Sequence, residues 1–281
     1  MPELPEVQAH CERLSAEFSG RVLTRFQPLS FSTLKTATPA PGDAVGRALS
    51  GFARRGKFLM MAFDGPEPLT FVIHLMQAGR LVPDTKQAAK PRGGMARWTF
   101  DDGSALLLTE AGKERKAGVW VMGGDPLESE LLSGLGFDAD VVTLEELTRA
   151  LRATNQRAHG FLRDQHGIAG VGRLLANEIC FRTQVSPFAM TTKLTDSQIQ
   201  NLHNAIGEAI SEALTFERSR DSMSKSADRP ASVHHRSGET CPRCGDVIRS
   251  VSYNAHEVDY CATCQTDGKV LADNTTSRFL K

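Results

Sequence analysis

Apolar and polar positions change their spacing along the chain in a way that separates two regions. Val7, Cys11, Leu14 and Phe18 recur at intervals of four, three and four, which lays one apolar stripe along a helix that Gly20 stops. Glu3 and Glu6 fall at or before its first turn, where the helix dipole favours negative charge. Short β-rich runs follow at Val22–Phe26, Lys57–Phe63, Leu69–Leu75, Met95–Phe100, Ala105–Thr109 and Gly118–Met122. Turn clusters such as Asp64-Gly65-Pro66 and Asp101-Asp102-Gly103 part them, and one helix followed by such strands predicts a β-sandwich or flattened barrel. The pattern then turns helical. Thr143 to Glu146 is a capping box opening a helix through Arg152, and Thr195 to Gln198 opens another with Ile199, Leu202, Ile206, Ile210 and Leu214 on one face. Two helical segments, about Gln156–Asp164 and Arg173–Thr183, flank a turn with glycines at 167, 170 and 172. The polar stretch 217–232, rich in Ser, Arg and Asp, reads as a mobile loop.

Composition narrows the classes. A chain of 281 residues, 40% hydrophobic and 23% charged, has room for two domains and is not disordered. No apolar run approaches the ~18–20 residues that span a bilayer, so a membrane protein is excluded. The start, acidic and punctuated by Pro2 and Pro5, is unlike a signal peptide, and a cytoplasmic location is expected. The formal net charge is zero, so any polyanion must be held by a local patch. Aromatic residues, at 6%, argue against a platform for stacking single strands.

Chemistry-bearing residues sit in four places. Cys241 and Cys244, then Cys261 and Cys264, form two pairs with sixteen residues between them, the spacing of a closed four-thiolate zinc site. Tandem redox pairs are rare, and a reducing cytosol disfavours disulfides. Cys11 and Cys180 lie in helical apolar patterns and read as core thiols. At the other end, removal of Met1 would expose the secondary amine of Pro2. Such a group titrates near 7.7–8.0 and is partly unprotonated at neutral pH, with Glu3 beside it to move a proton. Arg54-Arg55-Gly56-Lys57 offers cations around a glycine turn, and the turn before Arg173 offers free N–H groups at a helix start. Taken alone, the first is a weak signal that a solvent-exposed, proline-stiffened end also explains, the second reads better as a solvated basic hairpin tip, and the third as a plain helical hairpin.

Together they resemble the formamidopyrimidine-DNA glycosylase/endonuclease VIII family. The resemblance runs from Pro2 to Gln265 and is carried by PELPEV at the start, RRGK at 54–57, the DQ…AGVG…NE stretch at 164–178, and the cysteines ending in CQ. It implies an α+β fold in two domains: an N-terminal helix with a β-sandwich over 1–135, then a helix–two-turn–helix module over 136–232. A four-cysteine zinc β-hairpin and tail would occupy 233–281. It implies a base-excision enzyme acting on double-stranded DNA with damaged bases or abasic sites, associated with the nucleoid; a monomer is the default expectation. In it Pro2 attacks the sugar, Glu3 shuttles the proton, Glu6 supports it, and Lys57 holds a phosphate. Strand cleavage would follow by β- or β,δ-elimination. DNA contacts are expected from Arg54, Arg55, His74, Gln77, Arg115, Lys116, Arg173 and His256, with one structural zinc on Cys241, Cys244, Cys261 and Cys264.

The chain also departs from the family pattern. Arg173 stands for a phosphate-binding Asn, His159 for a Lys and His256 for the zinc-hairpin Arg. Gln77 replaces a wedge Met, and Ala117 an intercalating Phe. These departures motivate a rival reading, a paralogue that binds damaged DNA without cutting it. An unrelated zinc-ribbon scaffold would explain the cysteines alone.

Overall fold

The computed structural model describes residues 1–111, 115–253 and 256–272, the side chains of 226, 253 and 256 excepted. Its contacts group the chain into two units, Met1–Gly134 and Leu135–Lys281.

The first unit begins with α1 (Leu4–Phe18). Glu6 closes its first turn by accepting the Glu3 N–H at 2.9 Å, and Gly20, at φ +86°, takes the chain out of the helix. Eight strands follow: β1 (Leu23–Pro28), β2 (Leu49–Arg55), β3 (Phe58–Phe63), β4 (Leu69–His74), β5 (Gly79–Pro83), β6 (Gly94–Phe100), β7 (Ala105–Glu110) and β8 (Gly118–Gly123). They form two antiparallel four-stranded sheets, ordered β1-β6-β7-β5 and β2-β3-β4-β8. Aromatic rings join the sheets across the core. Trp98 of β6 meets Phe71 of β4 at 5.9 Å between centroids, and Phe26 of β1 meets Phe71 at 5.4 Å. Phe18 of α1 packs on Phe100 at 5.6 Å. The expected sandwich is therefore present, with two strands, β2 and β5, beyond those read from the sequence. The short helix α2 (Glu130–Ser133) ends this unit.

The second unit holds β9 (Phe137–Asp138), α3 (Leu144–Ala153), α4 (Ala158–Arg163), β10 (Ile168–Ala169), α5 (Arg173–Arg182) and α6 (Asp196–Arg218). Both expected capping boxes form, at Thr143 and Thr195. The chain continues into the hairpin β11 (Ile248–Tyr253) and β12 (His256–Cys261), then α7 (Ala262–Thr266). The hairpin packs into this unit through a cluster of Phe181, Val233, Cys241, Ile248 and Cys261. In the 217–232 stretch, Glu217 is fully buried and accepts from the Ser224 N–H at 3.2 Å and from the Ser224 hydroxyl. Among the described residues no helix is long and apolar enough to cross a membrane.

Candidate active site and metal centre

In the first unit the polar residues gather at the chain start. Pro2, Glu3 and Glu6 are all buried. Burial lowers the pKa of the Met1 amine, one residue before Pro2; Glu3 and Glu6 pull it the other way, and the Arg80 and Lys57 cations lower it further. One amine thus faces two carboxylates and two cations drawn from α1, the β2–β3 turn and β5. That turn explains the RRGK motif. Arg55 pairs with Phe58 across a two-residue loop in which Gly56 has φ +55°, the tight hairpin geometry that needs glycine at its first position. Lys57, next in the loop, is only 5% exposed. Arg54 bonds Gln8 of α1 through Nε at 3.1 Å. Arg55, one residue on along the strand, projects to the opposite face.

His74 ends β4 across from Phe58, ring centroids 4.6 Å apart. Its Nδ1 accepts the Met76 N–H at 3.0 Å, so the neutral ring carries its proton on Nε2 as a donor. Burial, reinforced by the Lys57 charge, pushes its pKa down to about 4. Beyond it the chain turns tightly. Gly79 donates to the Leu75 carbonyl at 2.8 Å, a Cβ there would lie 2.1 Å from that oxygen, and Gln77 stands exposed at the tip. Arg115 and Lys116 are exposed next to residues outside the description. Arg115 lines a recess of about 470 Å³ with Arg92 and Glu110. Ala117 is fully buried, its N–H held by Glu110 Oε2 at 2.6 Å.

Sequence reading did not single out Arg80, which faces the amine, or His10. The His10 Nε2 lies 2.6 Å from the Leu81 carbonyl and so ties α1 to the strand that carries Arg80. Neither sits in a recognisable motif, and only the strand pairing brings β5 to α1.

In the second unit Arg173 is the first residue of α5, with Gly172 as its cap and Gly170 at φ +102° in the preceding turn. Gln165 holds that turn: its Oε1 accepts from Gly170 at 3.0 Å, and its Nε2 donates to Val171 at 2.9 Å and Arg163 at 2.8 Å. Asn177 and Glu178, motif residues given no role above, prove to be the frame. Glu178 accepts the N–H groups of Ser232, Val233 and His234 at 2.8, 2.9 and 3.0 Å. Asn177 Nδ2 reaches Asp259 Oδ2 at 3.2 Å and His234 Nδ1 at 2.9 Å. His159 is buried, and the His256 side chain lies outside the described residues.

The four cysteine sulfurs lie within 4.8 Å of one another. Cys241 and Cys264 are 3.9 Å apart, and Cys244 and Cys261 3.4 Å. Four sulfurs about 2.3 Å from one zinc stand about 3.8 Å apart, so the donor set fits one tetrahedral ion held by four thiolates. Gln265 braces this knuckle, accepting from Cys261 N–H at 2.9 Å and donating to the Val185 carbonyl at 3.1 Å. Zinc bound here would link the hairpin to the loop before it and leave no open position for catalysis.

Family models match along the chain: the formamidopyrimidine-DNA glycosylase N-terminal domain at 1–119, the H2TH domain at 134–225, and the zinc finger found in FPG and IleRS at 238–266. Among curated relatives, the formamidopyrimidine-DNA glycosylase of Chloroflexus aurantiacus is 30% identical over 280 residues, covering 94% of this chain and 98% of its own. That of a Roseiflexus species is 28% identical, covering 94% and 100%. The Lactococcus lactis Fpg solved with abasic-site DNA aligns with a TM-score of 0.84 at 20% identity, over 94% of this chain and 99% of that one. MutM in complex with DNA containing carbocyclic 8-oxo-G aligns with a TM-score of 0.83, also at 20% identity, over 94% and 100%.

Proposed function

The chain belongs to the formamidopyrimidine-DNA glycosylase family, and from that premise we propose that it excises damaged bases from double-stranded DNA and then cuts the strand through a Schiff base on Pro2. The observation that carries this reading is the buried Pro2, with the Met1 amine one residue before it lying among Glu3, Glu6, Lys57 and Arg80. Burial outweighs the two carboxylates and, with the two cations, lowers the pKa of the Met1 amine; the same surroundings would favour the unprotonated form of a Pro2 amine freed there, as a nucleophile requires.

Once Met1 is removed, the Pro2 nitrogen attacks C1′ of the sugar. A new C–N bond forms as the glycosidic bond breaks, and its electron pair leaves with the base. The attacking nitrogen then gives up its proton, Glu3 passes one to the ring oxygen, the ring C–O bond breaks, and an iminium remains at C1′. This cation makes the C2′ proton acidic; its removal expels the 3′ phosphate. Lys57 holds a phosphate beside the lesion, and His74, neutral with its proton on Nε2, donates to another oxygen there. Glu6 fixes the Glu3 backbone and balances the cations. Reaching Pro2 requires the nucleotide to leave the stack, which costs a few kcal/mol and least at a damaged pair. Gln77, at the tip of a rigid turn, is the candidate to fill the gap. Arg173 grips a phosphate with a charge-assisted bond, roughly twice as strong as a neutral one. The presence of Pro2, Glu3, Glu6 and Lys57 together weighs against a binding-only paralogue.

Borohydride reduction on an abasic duplex tests the reading. The wild-type chain should become covalently joined to DNA, and Pro2→Gly should form little or no adduct. An adduct of equal yield in Pro2→Gly, or mass spectrometry showing Met1 retained on protein that still cuts DNA, would exclude Pro2 as the nucleophile.

A further inference from the structure

Within electrostatic reach of Arg173, whose helix also carries the Asn177 that bonds His234, lies an imidazole that the reaction above does not use. His235 has φ +58°, in the left-handed region that favours glycine and strains a residue bearing a Cβ. It is held there. Its N–H donates to Asp259 Oδ2 at 2.8 Å, and its ring stacks on that of His234, centroids 4.0 Å apart and planes 23° apart. His234 is itself buried and fixed from behind. Asp259 only accepts, so the Asn177 amide faces it with Nδ2 and gives its other proton to His234 Nδ1 at 2.9 Å. A fixed base of buried side chains therefore presents the His235 ring at the surface.

The charged groups facing that ring come from three elements: His234 beneath it, Arg173 from α5, and Asp259 and Glu257 from β12. Burial, His234 and Arg173 hold its pKa below the usual histidine value, against the pull of the two carboxylates. In the protein alone the ring is thus neutral near pH 7 and coexists with the guanidinium at no electrostatic cost. An anion bridging the two would reverse the balance. The opposing carboxylate Asp259 already accepts from His235 N–H and Asn177, so its charge is partly satisfied within the frame.

We propose that His235 and Arg173 clamp one DNA backbone phosphate between them, and that His235 takes up a proton as the phosphate arrives. The proposal rests on the DNA-binding reading and adds to it a second phosphate ligand and a pH dependence. The protonated fraction is small before binding and large after, so affinity rises as pH falls towards the histidine range. The strained backbone is what sets the ring against His234 and beside Arg173, where a relaxed chain would carry it elsewhere.

Fluorescence anisotropy with a duplex carrying a reduced abasic site, which the enzyme cannot cut, tests this between pH 8 and pH 6. Two variants divide the outcomes. His235→Asn tolerates the left-handed backbone but cannot titrate, and His235→Gly relieves the strain and removes the ring. A phosphate that raises the histidine pKa by one unit contributes at most tenfold in affinity, and with a free pKa below the usual value only part of that falls between pH 8 and pH 6, so wild type should gain about fivefold more than His235→Asn across this range. At pH 6 the slope of log affinity against log salt should be shallower by about 0.9 in His235→Asn. The melting temperature of His235→Gly should equal or exceed that of wild type while its affinity at pH 6 drops. Parallel pH curves for wild type and His235→Asn would overturn the clamp and leave DNA binding intact. So would a destabilised His235→Gly that loses affinity equally at both pH values, since the ring would then be a packing piece. Failure of wild type to bind the duplex at any pH would instead defeat the functional reading, and the clamp with it.

Discussion

Both units bury carboxylates, and they set them in different company. At the chain start, Glu3 and Glu6 are 5% and 3% exposed and face a titratable amine together with Lys57 and Arg80. In the helical and zinc-bearing unit, Glu178 is equally buried, yet both its oxygens are taken by three successive backbone N–H groups. Asp259 is likewise occupied by Asn177 and the His235 N–H. Buried charge by itself therefore does not mark chemistry. A carboxylate saturated by fixed N–H donors holds the backbone in shape. One turned towards another titratable group can pass a proton.

The largest test of that division is the metal. Structural zinc contributes about 10–16 kcal/mol in zinc-finger peptides, far more than any single hydrogen bond here. Chelation should unfold the β11–β12 hairpin and abolish DNA binding while leaving the sandwich folded. The protein carries its own reporter, since the chain has two tryptophans and both, Trp98 and Trp120, lie on sandwich strands. Zinc analysis should return one ion per chain, and tryptophan emission should not move when it is removed. If stripping the zinc left DNA binding unchanged, the hairpin would have no part in holding the second unit's binding surface.

Next in size is the frame carboxylate. Glu178→Ala leaves the N–H groups of Val233 and His234 buried without an acceptor, and that of Ser232 half-buried. At about 1–3 kcal/mol for each orphaned donor, the loss should reach about 3 kcal/mol or more. Glu178→Gln keeps one acceptor oxygen and should lose less. The change should appear in thermal unfolding followed by circular dichroism, with the tryptophan transition unmoved. A Glu178→Ala protein as stable as wild type would show that the 232–234 turn finds other partners and that Glu178 is not its frame.

How much of this could be read beforehand divides along similar lines. Signals local in sequence were legible: the α1 stripe, the capping boxes at Thr143 and Thr195, and the two CxxC pairs. The strands β2 and β5 were not. One carries Gly51 and a terminal Arg pair, and the other starts at Gly79 and ends at Pro83, so neither has the β-branched run that marks a strand. Losing β5 hid Arg80. The motif letters Asn177, Glu178 and Gln265 were visible as a resemblance, but they bond residues up to 82 positions away, which belongs to the tertiary fold. Conversely, Pro2, Glu3, Glu6 and Lys57 were named from short motifs far apart in sequence, and the fold brings Glu3, Glu6 and Lys57 near the Met1 amine, one residue before Pro2. Arg54 reads as part of a basic cluster, yet it bonds Gln8 of the helix. Alternation along a strand, invisible while β2 itself was unrecognised, separates it from Arg55.

The smallest effect concerns acid. Of the sandwich's ionisable groups, the two histidines, His10 and His74, are both pushed down to about 4, in each case first by burial. For His10 the Arg13 and Arg80 charges add to this, while the hydrogen bond to Leu81 opposes it. A histidine whose folded pKa lies below its unfolded value stabilises the fold fully above about 6.5 and ceases to do so as pH falls through 6.5 towards 4. The gap from 6.5 to about 4, at 1.36 kcal/mol per tenfold, makes this worth about 3 kcal/mol for each histidine at most. Urea unfolding followed by tryptophan emission should show a steady decline in sandwich stability below pH 6, apart from the slope nearer pH 8 that the lowered pKa of the terminal amine contributes. His10→Gln keeps a donor for the Leu81 carbonyl and cannot titrate, so it should flatten about half of that decline and leave the part owed to His74. A variant whose acid profile overlays that of wild type would mean that His10 keeps its ordinary proton affinity, and that the contact between α1 and β5 admits more water than its burial implies.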